Sequence, residues 1–154
     1  MKLGQVLRKE REKKGLSIAE VAAGTGLEVD DYERLERGEV DEAETWGPRL
    51  AELAIQLETP TSRLLAESGR AADTRPGQAG VLIRGHRERC AKTVAEMAGA
   101  LAIPAGEYAA IEAGTSPVER WGPVFLAVAE AVEQPVFNFF YPCGLPFQEL
   151  DDYP

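Results

Sequence analysis

Residues 17–38, SIAEVAAGTGLEVDDYERLERG, decide the fold, because residues 93–114, TVAEMAGALAIPAGEYAAIEAG, repeat their pattern at a spacing of 76. In each stretch a hydroxyl residue stands three before a glutamate, Ser17 before Glu20 and Thr93 before Glu96. That spacing is a capping box, which starts a helix. In each, a buried-type pair follows, Tyr32 with Leu35 or Tyr108 with Ile111, and then a glycine at 38 or 114. Glycine there supplies the left-handed residue that ends a helix. Working outward, Trp46-Gly47-Pro48 returns as Trp121-Gly122-Pro123, and Pro60 with Leu64-Leu65 returns as Pro135 with Phe139-Phe140, both at a spacing of 75. One single-residue gap after Gly38 and Gly114 aligns the halves from end to end. The chain reads as an internal duplication of a unit of roughly 65 residues, longer than a solenoid repeat.

The first copy reads as five short helices. Leu3, Val6 and Leu7 form an apolar stripe among Arg8, Lys9, Arg11, Lys13 and Lys14, an amphipathic first helix that Gly15 closes. The second helix starts at Ser17 and breaks at Gly24-Thr25-Gly26. The third runs from about Glu28 to Arg37. After an acidic loop, Pro48 opens a fourth helix with Leu50, Leu53, Ala54 and Leu57 on one face, and Pro60 opens a fifth. The second copy repeats the order. The predicted architecture is all-α, two tandem five-helix units at 1–67 and 81–141. A polar, flexible connector over 68–80 joins them, and 142–154 forms an extended tail.

Composition narrows the function classes. Net charge is −9, with an excess of four acids in 1–70 and five in 71–154. Such a balance opposes non-specific affinity for nucleic acid, which is mostly phosphate neutralisation. No apolar run approaches the ~18 residues of a membrane span, and the start lacks a signal-peptide segment. The two cysteines, Cys90 and Cys143, are too few for a disulfide framework, so a cytoplasmic setting is expected. His86 and Cys90 stand four apart with no second pair nearby, so neither a metal site nor a cofactor is expected. No nucleophile with an orienting base can be named, and no enzymatic activity is expected.

Residues 7–39 resemble the Cro/C1-type (XRE) helix-turn-helix family. The resemblance rests on an Arg-rich first helix, the Leu-Ser-x-x-Glu-Val-Ala second helix, the Gly-Leu turn and the Leu-Glu-Arg-Gly ending. The second copy is similar with Ala113 in place of the arginine, and "LSIAEVAAGTGL" is also similar to the N-terminal helical domain of cyanases. The resemblance implies a lambda-repressor-like fold and a DNA-binding transcriptional regulator, with the two copies imitating a repressor dimer. In that family the third helix reads the major groove and the second helix's N-terminus meets phosphate. The implied reading positions are Val29, Asp30, Asp31, Glu33 and Arg34, then Ala105, Gly106, Glu107, Ala109 and Ala110.

Those side chains are poorly suited to the task, because base edges and phosphates mostly call for donors. Glu28 to Arg37 holds five acids and two bases, and Pro104 to Ala113 holds two acids and no base. Candidate phosphate contacts therefore fall on the first helices: Arg8, Lys9, Arg11, Lys13 and Lys14 with Ser17 and Arg34, and Arg84, Arg87, Arg89 and Lys92 with Thr93. A second reading stands beside the first: a protein-interaction module on the same scaffold that no longer binds DNA. The aromatic segment with Phe137, Tyr141, Leu145 and Phe147 either packs against its own chain or serves a partner or homodimer contact.

Overall fold

A computed structural model describes residues 2–140, and among them every regular element is helical. The α-helices are α1 (Leu3–Lys13), α2 (Ile18–Thr25), α3 (Val29–Glu36), α4 (Asp41–Leu57), α5 (Thr61–Leu65), α6 (Gln78–Arg89), α7 (Val94–Leu101), α8 (Ala105–Glu112) and α9 (Val118–Val132). Short 3-10 turns occupy Ala71–Asp73 and Val136–Phe139.

Two three-helix units, α1–α3 and α6–α8, are each built around their third helix. The capping boxes form as expected. The Ser17 and Thr93 hydroxyls accept the Glu20 and Glu96 backbone N–H groups at 3.0 Å, and each glutamate accepts the cap residue's own N–H at 3.1 Å. The first helix of each unit crosses the end of the third so closely that a side chain is excluded there. A Cβ on Gly4 would lie 2.3 Å from the Glu36 carbonyl oxygen, and one on Gly80 would lie 2.6 Å from that of Ile111. Gly38 and Gly114 end α3 and α8 at φ +72° and +76°. Where the first unit uses Gly15 and Gly26 in left-handed conformation, the second places Ala91 and Ala102, both at φ 55°.

The longer helices cross between the halves. α9 lies mainly against α2, and α4 lies against α7; α5 packs on α6, and the 136–139 turn packs on α1. α4 and α9 also pack on each other. The glycines of the two Trp-Gly-Pro motifs mark the crossing. A Cβ on Gly47 would meet Phe140 Cε1 at 2.7 Å, and one on Gly122 would meet Leu65 Cδ2 at 2.4 Å. Polar contacts follow the same route: Trp121 Nε1 donates to Glu42 Oε1 at 2.8 Å, and Arg49 Nη1 donates to Glu107 Oε1 at 2.7 Å. Buried side chains from Leu3 to Phe140 thus form one continuous core. The expectation of two self-contained bundles, 1–67 and 81–141, gives way to one shared interior. The apolar stripe of a helix fixes which face is buried, and leaves open which neighbour covers it.

Three local readings are corrected. The stretch 68–80 is no loose connector: Ala71–Asp73 forms a turn whose Ala71 N–H donates to Glu130 Oε1 at 2.9 Å, and α6 already begins at Gln78. The acidic loop before Pro48 is helix, since α4 starts at Asp41. Asp41, Glu42 and Glu44 favour a helix N-terminus by their charge. Pro48 sits inside, lacking only the N–H that would reach the Glu44 carbonyl. Phe137, offered either for packing within its own chain or for a partner interface, is 4% exposed and belongs to the core. Tyr141, Leu145 and Phe147, with the tail at 142–154, lie outside the described residues. Within 2–140 no helix is long and apolar enough to cross a membrane.

Candidate nucleic-acid interface

The outward face of α3 is set by what its inward face must bury. Tyr32, Leu35 and Glu36 point into the unit, which leaves Val29, Asp30, Asp31 and Arg34 exposed and Glu33 half-buried. Val29 is 44% exposed, unusual for a large aliphatic side chain in this chain. On α8, Tyr108 and Ile111 are buried, and the outward residues Ala105, Gly106 and Ala109 carry almost no side chain. Glu107 is half-buried and committed to Arg49, while Ala110 is half-buried. One presented helix is acidic; the other is bare.

The cations expected to grip phosphate are mostly committed within the protein. Arg11 lies under the surface, its Nε and Nη2 bound to Glu36 at 2.7 and 3.0 Å and its Nη1 to the Leu16 carbonyl at 2.9 Å. Arg87 repeats this with Glu112 at 2.6 and 3.0 Å and the Lys92 carbonyl at 2.9 Å. These two arginines tie the first helix of a unit to its third, so they are removed from the set of candidate phosphate contacts. An exposed arginine was the natural reading because the partner glutamate lies 25 residues away. Retention of both members of the pair at a spacing of 76 was the signal that could have found it.

The remaining candidates sit at the surface with partners of their own. Arg8 pairs with Glu12 and Arg84 with Glu88, both at 2.9 Å one helical turn on. Arg34 lies 3.9 Å from Asp31 and 3.8 Å from Glu39. Lys14 pairs with Glu133, Lys92 Nζ donates to the Gln56 carbonyl at 2.6 Å, and Arg89 contacts His86. Ser17 and Thr93 spend their hydroxyls on the caps. Lys9 and Lys13 are exposed and carry no ion pair among the described residues.

Each Arg–Glu pair shelters a tyrosine. Tyr32 and Tyr108 are fully buried beside Glu36 and Glu112, and burial together with the neighbouring carboxylate pushes both phenols far up, so they stay neutral. Burial alone would raise the Glu112 carboxyl; Arg87 and the Tyr108 hydroxyl outweigh it and hold it below the usual range. Among the described residues no three His, Cys, Asp or Glu side chains stand close enough to hold a metal ion. Cys90 donates its thiol to the Leu57 carbonyl at 3.5 Å.

Residues 2–63, from the start of α1 into α5, match the family model described as a helix-turn-helix domain. No curated protein and no solved structure matches the chain.

Proposed function

We propose that the chain is a helix-turn-helix regulator in which two units of one duplicated pattern are locked together as a pseudo-dimer, and that its outward α3 and α8 faces engage a protein instead of reading DNA. The observation that carries this reading is electrostatic. Exposed Glu28, Asp30 and Asp31 stand at the start of α3, and Arg8 and Arg11 of α1 with Arg84 and Arg87 of α6 are held by carboxylates. Phosphates approaching α3 would be repelled, and releasing the arginines would break internal contacts. The duplication is supported by equivalences at a spacing of 76: Arg11–Glu36 with Arg87–Glu112, and Gly4 with Gly80.

Fluorescence anisotropy with a labelled mixed-sequence duplex, at salt concentrations from ~25 to ~150 mM, tests it. The expected result is no binding at the low end. A second reading, a DNA-binding pseudo-dimer, is favoured by the helix-turn-helix match over 2–63 and by the two unpaired lysines of α1. It requires binding that weakens with salt, and Lys9→Ala with Lys13→Ala should then lower the log–log slope by about 2.

A further inference from the structure

The cleft between α5 and α6 holds charge of the opposite sign to the rest of the molecule. Thr59, Arg63, Glu67, Leu82, His86 and Arg89 line it, around a volume of about 260 Å³. In a chain of net charge −9, Arg63 and Arg89 form no ion pair among the described residues. The Arg63 guanidinium is held instead by the Glu67 backbone carbonyl, which its Nη1 reaches at 2.9 Å. Arg89 contacts the His86 ring, which in turn lies against the Arg63 backbone carbonyl. Two arginines and a histidine therefore line one cleft, and neither arginine is paired with the Glu67 carboxylate that lines it with them.

This is not a general property of the fold. The positions 76 residues before His86 and Arg89 are Glu10 and Lys13, and those 75 residues after Thr59 and Arg63 are Gln134 and Asn138. There Asn138 Nδ2 donates to Gln134 Oε1 at 3.0 Å, and the lysine stands on the same helix as a glutamate. The first place is cationic and the second is neutral.

We propose that the α5–α6 cleft binds the dianionic phosphate of a small phosphomonoester, with Arg63 and Arg89 donating to its oxygens and His86, held between Arg89 and the Arg63 carbonyl, as a titratable charge beside them. Guanidinium groups are the side chains best matched to tetrahedral oxyanions, through paired N–H donors in a rigid fork. Leu82 offers an apolar wall to the rest of such a ligand. Burial and the positive charge of Arg89 hold the free imidazole's pKa below its ordinary value, with Arg63 and the Glu67 carboxylate also facing the cleft. A bound dianion offsets the arginine charge, so the imidazolium becomes easier to form.

His86 is the chain's single histidine, so its ring resonances report on the cleft without overlap. The full chain is titrated with inorganic phosphate, then with glycerol phosphate, against sodium chloride at matched ionic strength. The expected result is a saturable shift of the His86 resonances with both phosphates, and a His86 pKa that rises when they are bound. Arg63→Ala and, separately, the exposed-site variant Arg89→Gln should each weaken binding roughly tenfold or more while circular dichroism stays unchanged. Shifts no larger than chloride produces would overturn the proposal. So would shifts that survive in both variants. Saturation by a mixed-sequence duplex but by neither phosphate would assign the cleft to nucleic acid, and also overturn it.

Discussion

The ring of Phe140 rests on the backbone of Gly47, where an added methyl group would approach Cε1 to 2.7 Å. Residues 93 positions apart thereby pin the last described turn of the chain to the middle of α4. Phe140 is itself wedged edge-on against Phe125 at a centroid separation of 5.6 Å, so it cannot simply swing aside.

Gly47→Ala should therefore destabilise the fold by about 1–3 kcal/mol, despite the better helix propensity of alanine. Gly122→Ala, which would meet Leu65 Cδ2 at 2.4 Å, should behave alike. Gly85, inside α6 with open space around it, is the control: alanine there should stabilise by about 0.5–1 kcal/mol. Urea midpoints for the three variants settle the matter. Equal effects at all three would show that propensity alone governs these sites.

The second unit carries strain that the first avoids. Ala91 and Ala102 adopt φ 55°, at positions equivalent to Gly15 and Gly26. Replacing either alanine by glycine should raise stability by about 0.5–1 kcal/mol, the reverse of the usual penalty for glycine. Thermal unfolding of the single and double variants would reveal it, and a lowered midpoint in both would refute it.

Acid should weaken the Arg87–Glu112 ion pair. The Glu112 carboxyl is held below its ordinary value of 4.5, so the stability it contributes is present above that value and fades as pH falls through the lower folded one. At pH 7, Glu112→Gln should cost about 2 kcal/mol, because Arg87 loses a charged partner in a largely buried place. That cost should shrink as pH falls below 4.5, where the carboxyl of the unfolded chain protonates first, and disappear once the folded one is protonated too. Urea titrations at several pH values give the difference directly, and a cost independent of pH would contradict the assignment.

Severing the chain between the units should leave neither part folded alone. Each three-helix unit is covered by helices of the opposite half, α9 over α2 and α4 over α7. Fragments 1–70 and 71–154 should lack cooperative unfolding by circular dichroism when separate, and should recover helicity as a 1:1 complex when mixed. A fragment that unfolds cooperatively by itself would contradict the crossing.

Much of this was legible in the sequence and part was not, for physical reasons. Capping boxes and glycine stops are local events, so Ser17, Thr93, Gly38 and Gly114 announced the helices they bound. Leu50, Leu53, Ala54 and Leu57 showed which side of α4 is apolar, but that spacing is equally satisfied by a neighbour from either half. Gly47 and Gly122 stand beside prolines that suit a helix start, whereas their role is the absence of a side chain at a crossing point. Arg11 and Arg87 looked like surface cations because their carboxylates arrive from another helix, a relation that hydropathy does not register. The α5–α6 cleft is not legible in the sequence for the same reason: Arg63 and His86 belong to different helices and meet only in the folded chain.

The interlacing of α4 and α9 has a mechanical outcome. With each trio of helices roofed by material from the other end of the polypeptide, the two cannot swivel about a hinge without breaking the common interior. The bearing of α3 relative to α8 is therefore a fixed dimension of the molecule, and any partner must conform to that gauge.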